Sequence, residues 1–167
     1  MNGVERMQFA KSTDYALHAL VYLANSESED KIGIKELSNK LNVSESYLSK
    51  IMTQLRKDGI IRAVPGVKGG YELSRPASHI TFLDVILSTE GRQNMFNCSN
   101  SDSKQHTVLI DESNGQLLEQ EEDQRVCRIK EVMDHAEIVL HEYLKSHSIQ
   151  TTLDEATKDR NDQLQKE

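Results

Sequence analysis

The stretch VPGVKGGYELSR at positions 64–75 gathers Gly66, Gly69 and Gly70, three of the eight glycines in the chain, and the only two prolines, Pro65 and Pro76, mark its edges. Such a cluster favours a tight chain reversal, because glycine enters positive φ without steric cost and proline does not continue a helix. IIRAV before it and YELSR after it are short runs of strand type, so the segment is predicted to be a β-hairpin. A nucleotide-binding phosphate loop is excluded, since the Gly-Lys-Ser/Thr signature is missing and a strand rather than a helix follows. A hairpin tip without side-chain bulk lets backbone approach a phosphate or a minor groove, with Lys68 supplying charge.

Helical periodicity governs the segments around the hairpin. Ala16, Leu20, Leu23 and Ala24, with Leu17 beside them, predict a helix from Ser12 to Ala24. Ile34, Leu37 and Leu41 mark a short helix, Asn42 and Val43 a tight turn, and Ser44 the N-cap of the next helix. Leu48, Ile51, Met52 and Leu55 share one face of that helix, and Gly59 caps its end. Thr81 and Asp84 have capping-box spacing and open a helix to about Ser88. Residues 91–125 are polar, acidic and without a sustained period, as in a long loop. Val126, Ile129, Met133, Ala136, Leu140 and Tyr143 then recur at spacings 3, 4, 3, 4, 3, a heptad seam. Running to about His147, that helix would be ~33 Å long. Thr152 and Glu155 are expected to cap a short last helix.

The series helix, short helix, tight turn, helix and glycine-rich hairpin is the layout of a winged helix-turn-helix, whose second paired helix enters the major groove. The expected fold class is mainly α with a small β-hairpin wing, extended by a long dimerisation helix. Residues 1–88 form the DNA-binding domain, 89–125 a polar acidic sensor loop, 126–158 the dimerisation and terminal helices, and 159–167 a disordered tail. With its apolar face committed to the core, the second helix leaves Ser44, Ser46, Ser49, Lys50, Thr53 and Gln54 outward or flanking, followed by Arg56 and Lys57. Hydroxyls and amides near its N-terminus suit base edges and phosphates, whereas Arg56 and Lys57 suit backbone or solvent. Tyr47, Arg62, Gly66, Lys68, Gly69, Gly70 and Tyr71 complete the expected DNA-contacting set. Any one of these is as easily an ordinary solvated residue; the ordered series gives them weight. The seam predicts a homodimer, so that two readers meet half-sites about one helical turn, or a multiple of it, apart.

A net charge of −7 argues at first against a nucleic-acid partner. Residues 1–88, however, carry eleven Lys/Arg against ten Asp/Glu, and residues 89–167 carry nine against seventeen. Phosphate binding depends on the field of one face rather than on total charge, so the acidic total excludes nothing. No apolar run approaches the ~18 residues of a membrane span, and MNGVERMQFAKS lacks a signal-peptide core. Two cysteines are too few for a secreted disulfide framework, so a cytoplasmic location is expected. No nucleophile–base–orienter set is assignable, which speaks against an enzyme. His135 and His141 lack the i, i+4 spacing of a helical metal pair. The competing class is a winged-helix protein–protein interaction module with no specific DNA target, using the acidic half as its docking surface.

Residues 32–86 resemble the Rrf-type family of bacterial winged helix-turn-helix transcription regulators. The resemblance rests on Tyr47, Leu48, Ile51, Leu55, Gly59, Gly66, Gly69, Gly70, Tyr71, Leu73, Ile80 and Asp84. STDYALHALVYLA at 12–24 is similar to the family's first helix. The segment from Cys127 on, with TTLDEA after it, is similar to its dimerisation helix and terminal segment. The resemblance implies a dimeric DNA-binding regulator, with a repressor the expected form. Some relatives carry an arginine before the first wing glycine for the minor groove; Pro65 stands there, leaving Lys68 or Arg62 to fill that role.

Cluster-binding members of the family carry three closely spaced cysteines before the long helix. This chain has only Cys98 and Cys127, with 28 residues between them, corresponding to the first and the last of the three. No cofactor is expected, because an iron–sulfur cluster would be short of ligands unless His106 joined or two protomers pooled four thiolates. Beside control by metal or cluster status, two further readings of the cysteines stand side by side. They form a reversible thiol switch, with Cys127 activated in the first turn of a helix beside Arg125 and Arg128, or they are incidental.

Overall fold

In the computed structural model, which describes residues 8–26, 31–66, 69–98 and 127–164, helix α1 spans Lys11–Asn25, α2 Ile34–Lys40 and α3 Glu45–Lys57. Strands β1 (Ile61–Val64) and β2 (Gly70–Leu73) follow, then a 3-10 turn at Ala77–His79 and helix α4 (Phe82–Thr89). Helices α5 (Arg128–Ser146) and α6 (Ile149–Leu164) complete the described elements. This is the expected mainly α fold with a β-hairpin wing. Two units are distinguishable: residues 1–92 together with 144–167, and residues 93–143.

The first unit is built around the apolar faces legible in the sequence. Ala16, Ala19, Leu20 and Leu23 of α1 are buried with Leu37 of α2 and with Leu48, Ile51, Met52 and Leu55 of α3. Ile60, Ile61, Ile80 and Val85 close the cluster from the hairpin and α4. Both tight turns are six-residue helix stops of one kind. After α2 the Asn42 amide donates to the Asn39 carbonyl at 3.3 Å and the Val43 amide to Ser38 at 3.0 Å, with Asn42 at φ 49°. After α3 the Gly59 amide donates to Arg56 at 3.1 Å and the Ile60 amide to Leu55 at 2.9 Å, with Gly59 at φ 68°. A left-handed residue at this place satisfies carbonyls that the helix end would leave bare. Asn42 is therefore the left-handed residue at which the chain turns from α2 toward α3.

In the hairpin, Ile61 pairs with Leu73, Arg62 with Glu72, Ala63 with Tyr71 and Val64 with Gly70. Ile32 bridges the outer edge of β2, exchanging backbone hydrogen bonds with Tyr71. Its close approach explains Gly70, where a Cβ would lie 2.6 Å from the Ile32 carbonyl oxygen. At Gly69 a Cβ would collide with the Val64 carbonyl oxygen and lie 2.8 Å from that of Gly66. Gly66 has open space around it but sits at φ 114°. Each glycine thus has a structural reason inside the wing, apart from any approach to DNA.

The last helix departs from expectation in three respects. Its cap is Ser148 rather than Thr152: the Thr151 amide donates to Ser148 Oγ at 3.2 Å, and the Ser148 amide to Thr151 Oγ1 at 3.0 Å. It runs past residue 158 to Leu164, through residues expected to be a disordered tail. It also packs with α1, with Ile149 fully buried in the winged-helix core, where the sequence grouped it with the long helix. The Phe82 amide donates to the His147 carbonyl and the Ile149 amide to that of Ile80, both at 2.9 Å. A single buried isoleucine and backbone bonds of this kind leave no periodic trace in the sequence. No helix among the described residues is long and apolar enough to cross a membrane.

Candidate nucleic-acid interface

Helix α3 carries its polar and apolar residues on opposite sides. At about 100° per residue, Ser46, Lys50, Thr53 and Lys57 form one stripe, and all four are exposed. Opposite them lie the buried Leu48, Ile51, Met52 and Leu55. Arg56 and the half-buried Ser49 flank the stripe on one side, Gln54 and Tyr47 on the other. The Tyr47 amide donates to Ser44 Oγ at 3.4 Å, so the Ser44 side chain is engaged as the helix cap. Tyr47 meets Tyr15 of α1 edge to face, ring centroids 5.9 Å apart. Thr53 Oγ1 donates to the Ser49 carbonyl at 2.7 Å, and Gln54 Nε2 to Asp58 at 3.1 Å. Weak local bonds such as these are exchangeable for a base edge or phosphate.

The wing's described cations are paired. Glu72 accepts from both Lys31 and Arg62. The Lys31 hydrogen bond, with the Arg62 one beside it, holds the Glu72 carboxyl below the usual carboxylate range. Arg62 is nevertheless 67% exposed at its side chain, and its partner is a strand neighbour rather than core. Tyr71 is half-buried and packs against the core. Lys68 lies outside the described residues. One anchor was not singled out from the sequence as a site residue: Arg75 donates to the carbonyls of Gly59 (3.2 Å) and His79 (2.9 Å) and to Asp84. It ties the end of α3 to the start of α4. No periodicity announces a residue whose partners are backbone carbonyls.

In the second unit, Cys98 and Cys127 come together. Their sulfurs are 4.0 Å apart, with the Cys98 thiol donating, and no disulfide joins them. Cys127 is 4% exposed and stands immediately before the first helical residue of α5, not within its first turn. The Lys130 amide lowers its thiol pKa most; burial opposes this, and the Ile129 amide, the Cys98 thiol and the Lys130 charge add to the lowering. Arg128, expected to activate it, pairs with Glu131 at 2.8 Å, and Arg125 lies outside the described residues.

An iron–sulfur cluster needs three or four ligands converging on one point. The chain has two cysteines, and no group of three or more His, Cys, Asp or Glu converges among the described residues. Within one chain the described residues bring two thiols together, fewer than a cluster's full ligand set. His106 lies outside them.

No residue of α5 is buried, and Ile129, Val132, Val139 and Tyr143 are exposed apolar side chains on it. Ala136 is exposed as well, whereas Met133 and Leu140 are half-buried, and Val126 lies outside the described residues. Val132 and Val139 were missed because two overlapping registers both satisfy a 3, 4 spacing. Together these residues form one apolar stripe ~120° wide.

Residues 9–155 match the Rrf2 family, described as an iron-dependent transcriptional regulator. The chain is 26% identical over 144 residues to the HTH-type transcriptional regulator NsrR of Bacillus licheniformis, covering 86% of this chain and 90% of that one. Among solved structures it is similar to CymR, the global cysteine regulator of B. subtilis, with TM-score 0.59 and 23% identity over 87% of this chain and 95% of that one. The T. potens IscR structure is similar with TM-score 0.63 and 23% identity, over 90% and 88% of the two chains.

Proposed function

The chain belongs to the Rrf2 family of transcriptional regulators, and from that membership we propose that it is a cytoplasmic, homodimeric repressor of a partly palindromic operator. The observation that carries this reading is the polar stripe of α3, Ser46, Lys50, Thr53 and Lys57, lying opposite a fully committed apolar face. Helix α3 reads the major groove through Ser46, Ser49, Lys50 and Gln54, and the capped N-terminus at Ser44 favours a phosphate. Arg56 tracks backbone. The wing, through Arg62 and Lys68 and the tight chain at Gly66, Gly69, Gly70 and Tyr71, adds affinity along the adjacent groove. The apolar stripe of α5 pairs the two readers, which the exposure of Ile129, Val132, Val139 and Tyr143 supports. The state of the cysteines at Cys98 and Cys127 sets operator affinity.

Selection of bound fragments from random-sequence DNA tests this reading. It should return an inverted repeat, and retention should fall steeply with added salt. Absence of retention at low salt would sink it in favour of a protein-binding winged helix.

A further inference from the structure

The two cysteines of the chain meet in the folded protein although 28 residues separate them in sequence. Each is placed differently. Cys127 is 4% exposed, stands at the start of α5 and accepts from the Cys98 thiol. Amides of Lys130 and Ile129 also lower its pKa, which favours its thiolate. Cys98 is half-buried and so more open to solvent. A 4.0 Å separation lies ~2 Å beyond bonding distance for two sulfurs, a gap that side-chain rotation with a small backbone shift closes.

We propose that Cys98 and Cys127 are a hydroperoxide-driven dithiol–disulfide pair within one chain, Cys127 attacking and Cys98 resolving. This deepens the regulator reading by naming its signal, and rests on that reading only for the effect on DNA. The Cys127 thiolate attacks a peroxide oxygen; the O–O bond breaks, Cys127 becomes a sulfenic acid, and the departing hydroxide or alkoxide takes a proton. The Cys98 sulfur, giving its proton to solvent, then attacks the Cys127 sulfur. The S–O bond breaks, the S–S bond forms and water leaves. Two electrons pass from the dithiol to the peroxide, and a small thiol reductant returns them. The burial of Cys127 selects a small oxidant over a bulky disulfide.

The test treats the full chain with a slight excess of hydrogen peroxide and maps its peptides without reduction. A Cys98–Cys127 cross-link within single chains, a mass lower by two hydrogens and reversal by dithiothreitol are expected. In Cys98→Ser, Cys127 should stop at a sulfenic acid trapped by dimedone; in Cys127→Ser, Cys98 should react about tenfold more slowly. Equal rates in the two variants, or a linkage only between chains, would overturn the assignment. DNA retention of the reduced protein is measured alongside. Retention with thiols that stay reduced under peroxide sinks this inference alone, whereas a clean disulfide in a protein that never binds DNA sinks the regulator reading alone.

Discussion

Arg75 and Asp84 are joined through Nη2 and Oδ2 at 3.1 Å, and the same carboxylate oxygen accepts the Thr81 amide at 3.0 Å. Thr81 Oγ1 in turn accepts the Asp84 amide at 3.1 Å, completing a capping box at α4. Through its bonds to Gly59 and His79, Arg75 carries this cap to the turn that ends α3. Replacing Arg75 by Ala should lower stability by about 1–2 kcal/mol, and Thr81 by Ala by about 1 kcal/mol. Urea unfolding checks both. A neutral Arg75→Ala variant would remove the arginine from the frame that holds α3.

The same site has a pH signature. Partial burial works against the charged Asp84, but hydrogen bonds from the Thr81 amide and side chain and from Arg75 outweigh it, so its pKa is lowered from 3.8. Its stabilising effect is fully present above that unfolded value and is lost as pH falls through the lower folded one. Asp84→Asn should therefore flatten the acid limb of the stability profile below about pH 4. An unchanged acid limb would assign the acid sensitivity to other carboxylates.

The three wing glycines should respond differently. Ala at Gly70 must displace Ile32 backbone, and Ala at Gly69 must reopen the turn at Val64 and Gly66. Gly66→Ala meets open space and only the strain of positive φ, about 1 kcal/mol. The expected order of destabilisation in thermal unfolding is Gly69 and Gly70 above Gly66. Equal, small losses at all three would mean that the glycines serve an approach to DNA and not the fold.

Glu72 restrains two cations. Because it holds both Lys31 and Arg62 as a carboxylate, Glu72→Gln should raise affinity for DNA of any sequence. The salt slope should steepen by up to about two units if both cations reach phosphates. Ser46→Ala with Gln54→Ala should instead narrow the gap between operator and random DNA. Filter binding across a salt series separates the two behaviours. A Glu72→Gln variant with the parental slope would place Lys31 and Arg62 away from phosphate.

Much of this fold was readable because period and punctuation agree locally. The buried face Leu48, Ile51, Met52 and Leu55, the Ser44 cap, the Thr81–Asp84 box and the Gly59 stop are each decided within a few residues of sequence. Contacts between distant segments were not readable. The burial of Ile149 with α1 and the reach of Arg75 to Gly59 depend on how elements meet, which no local pattern encodes. The cysteines show the same division. Their spacing argued against a compact ligand set, yet the fold brings the two sulfurs into contact. At the wing the residue types pointed to a hairpin correctly, while the reason for Gly70 emerged only with Ile32 beside it.

The α5 stripe is open to solvent in the single chain. Val132 is 68% and Val139 52% exposed, on the same stripe as Ile129 and Tyr143. Side chains so open contribute little to the fold of a single chain, so their replacement reports on association. Val132→Asp with Val139→Asp would place unpaired charges in the proposed dimer seam, at a cost of several kcal/mol. Sedimentation at micromolar concentration should show a monomer with unchanged helical content. Operator affinity should collapse with dimer affinity, because each half-site reader would then bind alone. Met133→Asp with Leu140→Asp, at the half-buried edge of the stripe, should also weaken the dimer but lower chain stability as well. A double valine variant that stays dimeric would move the interface off this face of α5.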